Sequence, residues 1–189
     1  MKPVSAIFLS LLMISGCASP QKSNWPKYPE EVSKSECPDS FILGKKYYDR
    51  YQDLHGIDVS NFYPAISMLE QAIDKCSSHE YEDDVLFTLA NAYFFVGNFQ
   101  SSMDKYYKVY NRFPHSSFNA GINTAREEYV FIEKCIHSRY LDVFRKAEVY
   151  EMHKEYDSAI YQYQLAMEST CSEIKDRAQN KYKSLKYMQ

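Results

Sequence analysis

The stretch DDVLFTLANAYFFVGNFQSSMDKYYKVYNRFPHS, residues 83–116, decides the fold of this 189-residue chain. Apolar residues recur in it at three- and four-residue steps, first over 84–96 and then over 99–113, which is the period of an amphipathic helix. Gly97 separates the two segments and permits a tight turn, because glycine accepts backbone angles that other residues avoid. Pro114 ends the second segment, since proline cannot extend the helical hydrogen-bond ladder. The stretch therefore predicts two antiparallel helices.

Several positions of this stretch carry residue types with a defined packing task. Small Ala90 and Ser102 allow the two helices to approach closely, and large aromatic residues fill the space between neighbouring helix pairs. The positions are Leu86, Leu89, Ala90, Tyr93, Gly97, Phe99, Ser102, Tyr106, Val109 and Pro114. Their pattern resembles the tetratricopeptide repeat (TPR), a two-helix unit of about 34 residues. The resemblance implies that further helix pairs stack beside this one.

Two other stretches repeat the pattern. Residues 140–173 are a second copy, in which Lys154 replaces the turn glycine and Cys171 stands at the proline position. Residues 37–79 are a third, looser copy with a longer loop between its two helices. The matching residues are Ala147, Tyr150, Tyr156, Ala159, Tyr163 and Ala166 in the second copy, and Gly44, Tyr47, Phe62, Ala65, Leu69 and Ala72 in the third.

Helical periodicity continues outside the copies. A segment over 118–136 predicts a linking helix, and 174–188 predicts a C-terminal capping helix whose outer face stays in water through Lys175, Arg177, Lys181, Lys183 and Lys186. We therefore predict an all-α fold, a TPR-like solenoid of antiparallel helix pairs with about three repeats, and helices over 41–54, 62–76, 84–96, 99–113, 118–136, 140–152, 156–168 and 174–188. The alternative is a helical bundle without repeats.

The N-terminus has the features of a secretory signal. Lys2 is followed by an apolar run over 4–14, which is too short to span a membrane because a spanning helix needs roughly 20 apolar residues. The run ends in the tetrad ISGC at 14–17, an aliphatic residue, two small residues and a cysteine. This tetrad resembles the lipobox of bacterial lipoproteins. An ordinary signal peptide with a chance cysteine is the alternative.

The lipobox resemblance implies a division of the chain. Residues 1–16 are the signal peptide that is removed, and Cys17 becomes an acylated N-terminus that anchors the chain in a membrane. Residues 17–36 lack periodicity and are expected to be a lipidated, flexible tether, while 37–189 form the repeat domain. Ala18 follows the cysteine, and by resemblance to enterobacterial sorting rules it favours the outer membrane, with the domain facing the periplasm.

Composition narrows the classes of partner and chemistry. The formal net charge is −3 and no basic stripe is visible, so nucleic acid is not an expected partner. The 18 Tyr and 11 Phe suit an aromatic-packed helical domain. No common catalytic, nucleotide-binding or zinc motif occurs, and the five histidines are scattered at predicted turns and helix ends. We therefore expect a protein that is not an enzyme, with no metal, no cofactor and no small-molecule substrate.

Four cysteines besides Cys17 are expected to pair in an oxidising compartment. Cys37 begins the first helix of its pair and Cys76 ends the second, so both lie at the same end of an antiparallel hairpin. Cys135 and Cys171 are related in the same way across the second TPR-like copy. We therefore predict the disulfides Cys37–Cys76 and Cys135–Cys171. Metal binding with nearby histidines is the alternative, but a paired Cys-x2-Cys set is missing.

A partner-binding surface follows from stacked helix pairs, because their first helices line a concave face. Outward positions of those helices combine aromatic, polar and charged side chains, which suit a peptide or an extended protein segment. These positions are Phe41, Lys45, Tyr48, Phe87, Asn91, Phe94, Phe144, Glu148 and Glu151. The alternative for each aromatic residue is packing against the next helix pair.

The order of elements carries a further resemblance. Residues 112–116, RFPHS, precede a long helix, and 140–151 then lead into Tyr156. With the lipobox, this order resembles the BamD family, outer-membrane lipoproteins of the β-barrel assembly machine. The chain departs from that family in having three recognisable units where the family has about five, and in its four additional cysteines.

The BamD resemblance implies a membrane-anchored periplasmic scaffold of a Gram-negative bacterium that binds envelope proteins or peptides during envelope assembly. Adaptor lipoproteins for pilus assembly or for peptidoglycan enzymes fit the same outline. A purely structural lipoprotein is a further alternative, and an envelope hydrolase is the alternative from another class.

The cysteine pairing can be tested directly. Peptide mapping of the purified chain under non-reducing conditions is expected to recover Cys37 with Cys76, and Cys135 with Cys171. Recovery of Cys37 joined to Cys135 or Cys171 would contradict the proposed stacking of the helix pairs.

Overall fold

A computed structural model describes residues 37–53, 58–76, 81–121 and 123–188 of the chain. These ranges contain eight α-helices and no strand, which confirms the predicted all-α class. The helices are α1 Cys37–Asp53, α2 Phe62–Cys76, α3 Glu82–Phe95, α4 Phe99–Arg112, α5 Ala125–Cys135, α6 Tyr140–Met152, α7 Tyr156–Ala166 and α8 Ser172–Met188. None of the helices in these ranges is both long and apolar enough to cross a membrane.

The helices pack chiefly on their neighbours in the chain. Contacts join α1 to α2, α2 to α3, α3 to α4 and α4 to α5, and likewise α6 to α7 and α7 to α8. A second set of contacts joins α1 to α3, α3 to α6, and α6 to α8, and α5 also touches α8. The helices α1, α3, α6 and α8 therefore form one continuous layer, and α5 reaches across to its far end.

Helix α3 lies between two hydrophobic cores. Leu86, Ala90 and Phe94 belong to the core built with α4 to α8, while Val85 and Leu89 belong to the core built with α1 and α2. A helix that is buried on opposite sides needs apolar residues around its whole circumference. Each fully buried leucine contributes about 1.5–3 kcal/mol, so this helix ties the two cores together.

The turns between α3 and α4 and between α6 and α7 share one backbone geometry. Gly97 has a φ of +79° and Lys154 a φ of +61°. In both turns the residue that follows donates its backbone N–H to a carbonyl five residues earlier, at 2.9 Å. The two hairpins therefore match in register, with Lys154 in the conformation that glycine occupies in the first.

Small residues allow the helices of a pair to approach closely. The Ser102 hydroxyl of α4 donates to the Ala90 carbonyl of α3 at 2.8 Å, and both residues are fully buried. In the α1–α2 pair, a Cβ on Gly44 would lie 2.8 Å from a methyl carbon of Leu69. A side chain at position 44 would therefore require the Leu69 side chain or the two helices to shift.

The linking helix is shorter than the sequence predicted. A continuous helix over 118–136 was expected, but α5 begins at Ala125, and only a 3₁₀ turn at Ser117–Asn119 precedes it. Gly121 and Asn123 both have positive φ, which interrupts a helix. Thr124 then caps α5: its side chain accepts from the backbone N–H of Glu127, whose carboxylate accepts from the backbone N–H of Thr124 at 3.0 Å.

One of the two predicted disulfides lies among the described residues, and it is confirmed. Cys135 and Cys171 are bonded, with their Cα atoms 5.8 Å apart, so the end of α5 is linked to the start of α8. Cys37 begins α1 and Cys76 ends α2, but both side chains lie outside those described. The signal peptide and Cys17 also lie outside the described ranges, and so does the predicted tether up to residue 36.

The shared turn generates a stability prediction. Replacing Lys154 with glycine is expected to stabilise the chain by about 1 kcal/mol, because an L side chain at positive φ costs roughly 1–2 kcal/mol. Thermal or urea unfolding would measure the change.

Gly97→Ala is the matched control for this prediction. It places a Cβ in the same backbone conformation, where the nearest neighbouring atom, Nε of Arg145, would be 3.7 Å away. The alanine is expected to destabilise by about 1 kcal/mol from backbone strain alone. A stabilised alanine variant, or an unchanged Lys154→Gly variant, would contradict the equivalence of the two turns.

Candidate functional site

A cavity of about 750 Å³ lies between α3, α4, α5, α6 and α8. We call it the central groove. Helix α3 supplies one wall, α6 a second, and α8 a third, while α4 and α5 close the remaining sides. Its lining residues are Phe87, Asn91, Phe94, Phe95, Tyr106, Asn123, Glu127, Glu128, Phe144, Glu148, Arg177, Asn180, Lys181 and Ser184.

The groove brings together five of the nine predicted partner-binding residues. Phe87, Asn91 and Phe94 reach it from α3, and Phe144 and Glu148 reach it from α6. The central part of the predicted concave face is therefore one continuous surface.

The other four predicted residues lie elsewhere. Glu151 accepts hydrogen bonds from Lys181 and Tyr163 beside the groove.

The other three residues belong to α1. Phe41 stacks on Tyr81 with ring centres 6.1 Å apart. Lys45 is exposed and forms an ion pair with Asp49 of its own helix, and Tyr48 is buried in the α1–α2 core, where it packs on Phe62. These three α1 residues are not part of the groove.

Aromatic rings form the apolar walls of the groove. Phe87 stacks on Phe118 at 4.2 Å between ring centres and meets Tyr106 edge-on at 5.6 Å. Phe144 is almost fully buried and packs edge-on against Tyr163 at 5.6 Å. These ring contacts pack the aromatic side chains against one another along the groove.

Asn91 presents a polar group among these rings. The Tyr106 hydroxyl donates to Asn91 Oδ1 at 2.5 Å, which fixes the orientation of the amide. Within the described ranges, the amide nitrogen of Asn91 makes no hydrogen bond. Burial raises the pKa of Tyr106 well above its usual value, so the phenol remains a donor at all physiological pH values. Asn91 can therefore donate to a carbonyl oxygen that enters the groove.

Two basic residues of α8 turn toward the groove. Arg177 donates to both carboxylate oxygens of Glu128 at 2.8 Å and lies 4.0 Å from the Phe131 ring centre. Lys181 lies 3.1 Å from both oxygens of Glu151. The sequence predicted that all five basic residues of the C-terminal helix face water; these two are still partly exposed but also form ion pairs with other helices. They neutralise carboxylates of α5 and α6 and hold α8 over the groove.

Glu148 differs from the other carboxylates of the groove. Its carboxyl forms no hydrogen bond and no ion pair with any residue that the structure describes. Burial raises its pKa to about 7, and the nearby Glu128 adds to the effect, while Lys181 and Arg177 act in the opposite direction. A carboxyl that titrates near neutral pH inside a cavity is typical of a functional site.

Sequence reasoning missed the contribution of α5 and α8. The signal for the start of α5 was present, because Thr124 and Glu127 form the Ser/Thr-x-x-Glu pattern of a capping box. Arg177 and Lys181 are four residues apart and lie beside the buried positions Ile174 and Ala178 of α8. That spacing places both on the flank of the packed face, but it does not identify their partners on other helices.

Possible metal ligands gather in one place within the described ranges. Cys135, Cys171 and Glu173 have ligand atoms within 4.8 Å of one another. The two sulfurs are bonded to each other, and the Glu173 carboxylate is paired with Lys134, which lowers its pKa to about 2. These groups are therefore engaged as a disulfide and an ion pair. His137 is exposed, and His79 lies outside the described residues.

A larger cavity of about 940 Å³ adjoins the groove on the other side of Arg177 and Glu127. Its lining comes from α4, α5, α8 and the segment before α5. None of the nine residues that the sequence predicts for partner binding reaches it. The central groove is therefore the candidate site, because it contains residues that the sequence predicts for partner binding.

Comparison with known proteins found no match. No family model matches the chain, and neither a curated protein nor a solved structure matches it.

Glu148 generates a prediction about pH and stability. Its pKa is about 7 in the folded chain and about 4.5 in an unfolded one, so the folded state holds a proton that the unfolded state has released between these values. This stabilising contribution is complete below pH 4.5 and is lost as pH rises through 7. Glu148→Gln removes the titration. Relative to this variant, the wild-type chain is expected to lose roughly 2–3 kcal/mol between pH 5 and pH 8, since each pH unit between the two pKa values is worth about 1.4 kcal/mol.

Urea unfolding of both proteins across this pH range would measure the difference. Glu155→Gln is the control, because Glu155 is exposed at the start of α7 and makes no side-chain cap there. Parallel stability curves for the wild type and Glu148→Gln would contradict the raised pKa.

Proposed function

We propose that this chain is a membrane-anchored, periplasm-facing adaptor whose central groove binds an extended segment of an envelope protein. The observation that carries the proposal is the gathering of Phe87, Asn91, Phe94, Phe144 and Glu148 around one cavity. A rigid aromatic wall with a few polar groups is the usual composition of a binding site.

The repeat architecture is part of the proposal. We propose that the helix pairs form a TPR-like solenoid of about three units, with α5 inserted and α8 as the terminal helix. The support is the residue-by-residue match between the α3–α4 and α6–α7 hairpins. Gly97 corresponds to Lys154, and buried Tyr106 corresponds to buried Tyr163. The continuous layer of α1, α3, α6 and α8 is the arrangement that stacked pairs produce.

An extended protein segment fits the chemistry of the groove better than a compact ligand. The amide nitrogen of Asn91 is available to a main-chain carbonyl, because its oxygen is held by Tyr106. Phe87 and Phe95, both partly exposed, offer apolar surface in the same groove. Main-chain hydrogen bonds beside apolar side-chain pockets are the general mode in which extended peptides are bound.

Anchoring places this groove in the envelope. We propose that Cys17 carries the lipid and that the chain is held at the outer membrane of a Gram-negative bacterium, as its resemblance to lipobox proteins implies. Two or more acyl chains give stable membrane attachment, whereas one gives only marginal binding. The role that this supports is a BamD-like scaffold in outer-membrane protein assembly. An adaptor for pilus assembly or for a peptidoglycan enzyme remains the alternative.

One observation favours a second class of function. Glu148 is a carboxyl with a pKa of about 7 in a cavity, which also suits a general acid of an envelope hydrolase. Hydrolysis of purified sacculi that is lost in Glu148→Gln would decide for the enzyme. A hydrolase of this kind commonly uses two carboxylates. Among the described groove residues, every carboxylate other than Glu148 is paired with a cation or caps a helix, which favours binding.

The adaptor proposal predicts that blocking the groove prevents partner capture. Asn180 lines the groove on α8, is exposed, and its side chain forms no hydrogen bond with the residues that the structure describes. Asn180→Trp is expected to fill the groove and to reduce the recovery of a specific envelope protein at least about fivefold in affinity purification from detergent-solubilised membranes. Mass spectrometry with isotope-labelled samples would quantify the recovery.

Gln179→Trp is the matched control. Gln179 is the neighbouring exposed residue of α8 and does not line the groove. The Gln179→Trp variant carries the same added ring without filling the groove, so its partner recovery is expected to equal that of the wild type. Equal recovery with Asn180→Trp, or recovery of no envelope protein by the wild type, would contradict the proposal. Co-purified barrel-assembly subunits favour the BamD-like role, and pilus components favour the pilus adaptor.

A further inference from the structure

The charges of the central groove do not balance. Arg177 is matched by Glu128, and Lys181 by Glu151. Glu127 caps α5 through the Thr124 backbone N–H. The carboxyl of Glu148 is the acidic group of the groove that has no such partner in the described part of the chain. When it is ionised, the groove carries more negative charge than its two cations, Arg177 and Lys181, neutralise.

We infer that the segment bound in the central groove carries a lysine or arginine side chain whose charged end lies beside Glu148. The inference rests on the proposed peptide-binding function and specifies the partner's chemistry. A bound cation supplies the missing charge, and the hydrogen bonds that it donates to the carboxylate are stronger than those between neutral groups.

The aromatic walls favour a basic side chain over a free metal ion. Phe87 and Phe95 line the same cavity as Glu148 and are partly exposed, so they can cover the aliphatic stem of a lysine or the flat face of an arginine. A calcium or magnesium ion needs about six oxygen ligands, whereas Glu148 is the one carboxyl here that is not already engaged. The site therefore matches a cation on an apolar stem.

The stability cost of Glu148 points the same way. An ionised carboxyl that is only partly exposed and has no partner destabilises the fold, and a glutamine at this position would not carry that cost. Groups that destabilise a fold while lining a cavity are characteristic of sites that bind something. A basic ligand side chain removes the cost, since it provides the partner that the fold does not.

Binding is therefore coupled to protonation of the groove. The groups that face Glu148 are Glu128 on α5, Glu151 on its own helix, Tyr106 on α4, Tyr163 on α7, and Lys181 and Arg177 on α8. Burial keeps the pKa values of both tyrosines well above 10, whereas the pKa of Glu148 is about 7. Its pKa of about 7 predicts weaker binding of a basic segment as pH falls from 8 to 6.

Peptide pools with one fixed position test the inference. Acetylated and amidated octapeptide pools are made with lysine, arginine, norleucine or glutamate at one central position and mixed residues elsewhere. Norleucine keeps the stem of lysine without the ammonium group. Binding to the full chain, purified in detergent, is measured by fluorescence anisotropy. At pH 8 the lysine and arginine pools are expected to bind at least about tenfold more tightly than the norleucine pool, which corresponds to about 1.4 kcal/mol.

The variants identify the group responsible. In Glu148→Gln the preference for lysine over norleucine is expected to fall to within about twofold, whereas Glu155→Gln keeps it. For the wild type, the preference is expected to shrink several-fold between pH 8 and pH 6, because a group with pKa near 7 is mostly protonated one unit lower. No such pH effect is expected for Glu148→Gln.

The outcomes separate the inference from the proposed function. If all four pools bind equally and Asn180→Trp weakens their binding, the inference is overturned and the peptide-binding groove is kept. A lysine preference that survives in Glu148→Gln would also overturn it. Binding that Asn180→Trp does not weaken, or no binding of any pool, would overturn the groove as a peptide site altogether.

Discussion

The burial of α3 on opposite sides is the constraint on which the rest of the structure depends. Val85 and Leu89 pack into the core with α1 and α2, while Leu86 and Ala90 pack into the core with α4 to α8. Because both cores use the same helix, the two halves cannot separate without exposing apolar residues on both sides. The same constraint leaves only a narrow strip of α3, with Asn91 at its centre, to face the groove.

Ion pairs, a hydrogen bond and a disulfide, in addition to apolar packing, join the helices around the groove. Arg145 of α6 is nearly buried and donates to the Phe95 carbonyl at the end of α3 at 2.7 Å, which places a cation at a helix C-terminus. Arg177 and Lys181 join α8 to the carboxylates of α5 and α6. The Cys135–Cys171 disulfide ties the α5 end to the α8 start. These links join the helices that line the groove, which lowers the entropy cost of the binding that we propose.

The two hairpins show how one backbone tolerates different residues at one position. Gly97 adopts its turn without strain, whereas Lys154 adopts the same turn at a cost of roughly 1–2 kcal/mol. Tertiary packing of the flanking tyrosines and alanines outweighs that cost. The TPR-like spacing therefore predicted the α6–α7 hairpin correctly, even where the turn residue departs from the pattern.

The sequence by itself determined the all-α class, the approximate bounds of seven of the eight helices and the part of α3 and α6 that faces the cavity. It did so because helical periodicity and turn residues are local properties. Tertiary structure decided that Glu148 stays unpaired while Glu128 and Glu151 do not, and that Arg177 and Lys181 of α8 meet carboxylates of α5 and α6. Those outcomes depend on which distant helices meet, and no local spacing encodes that.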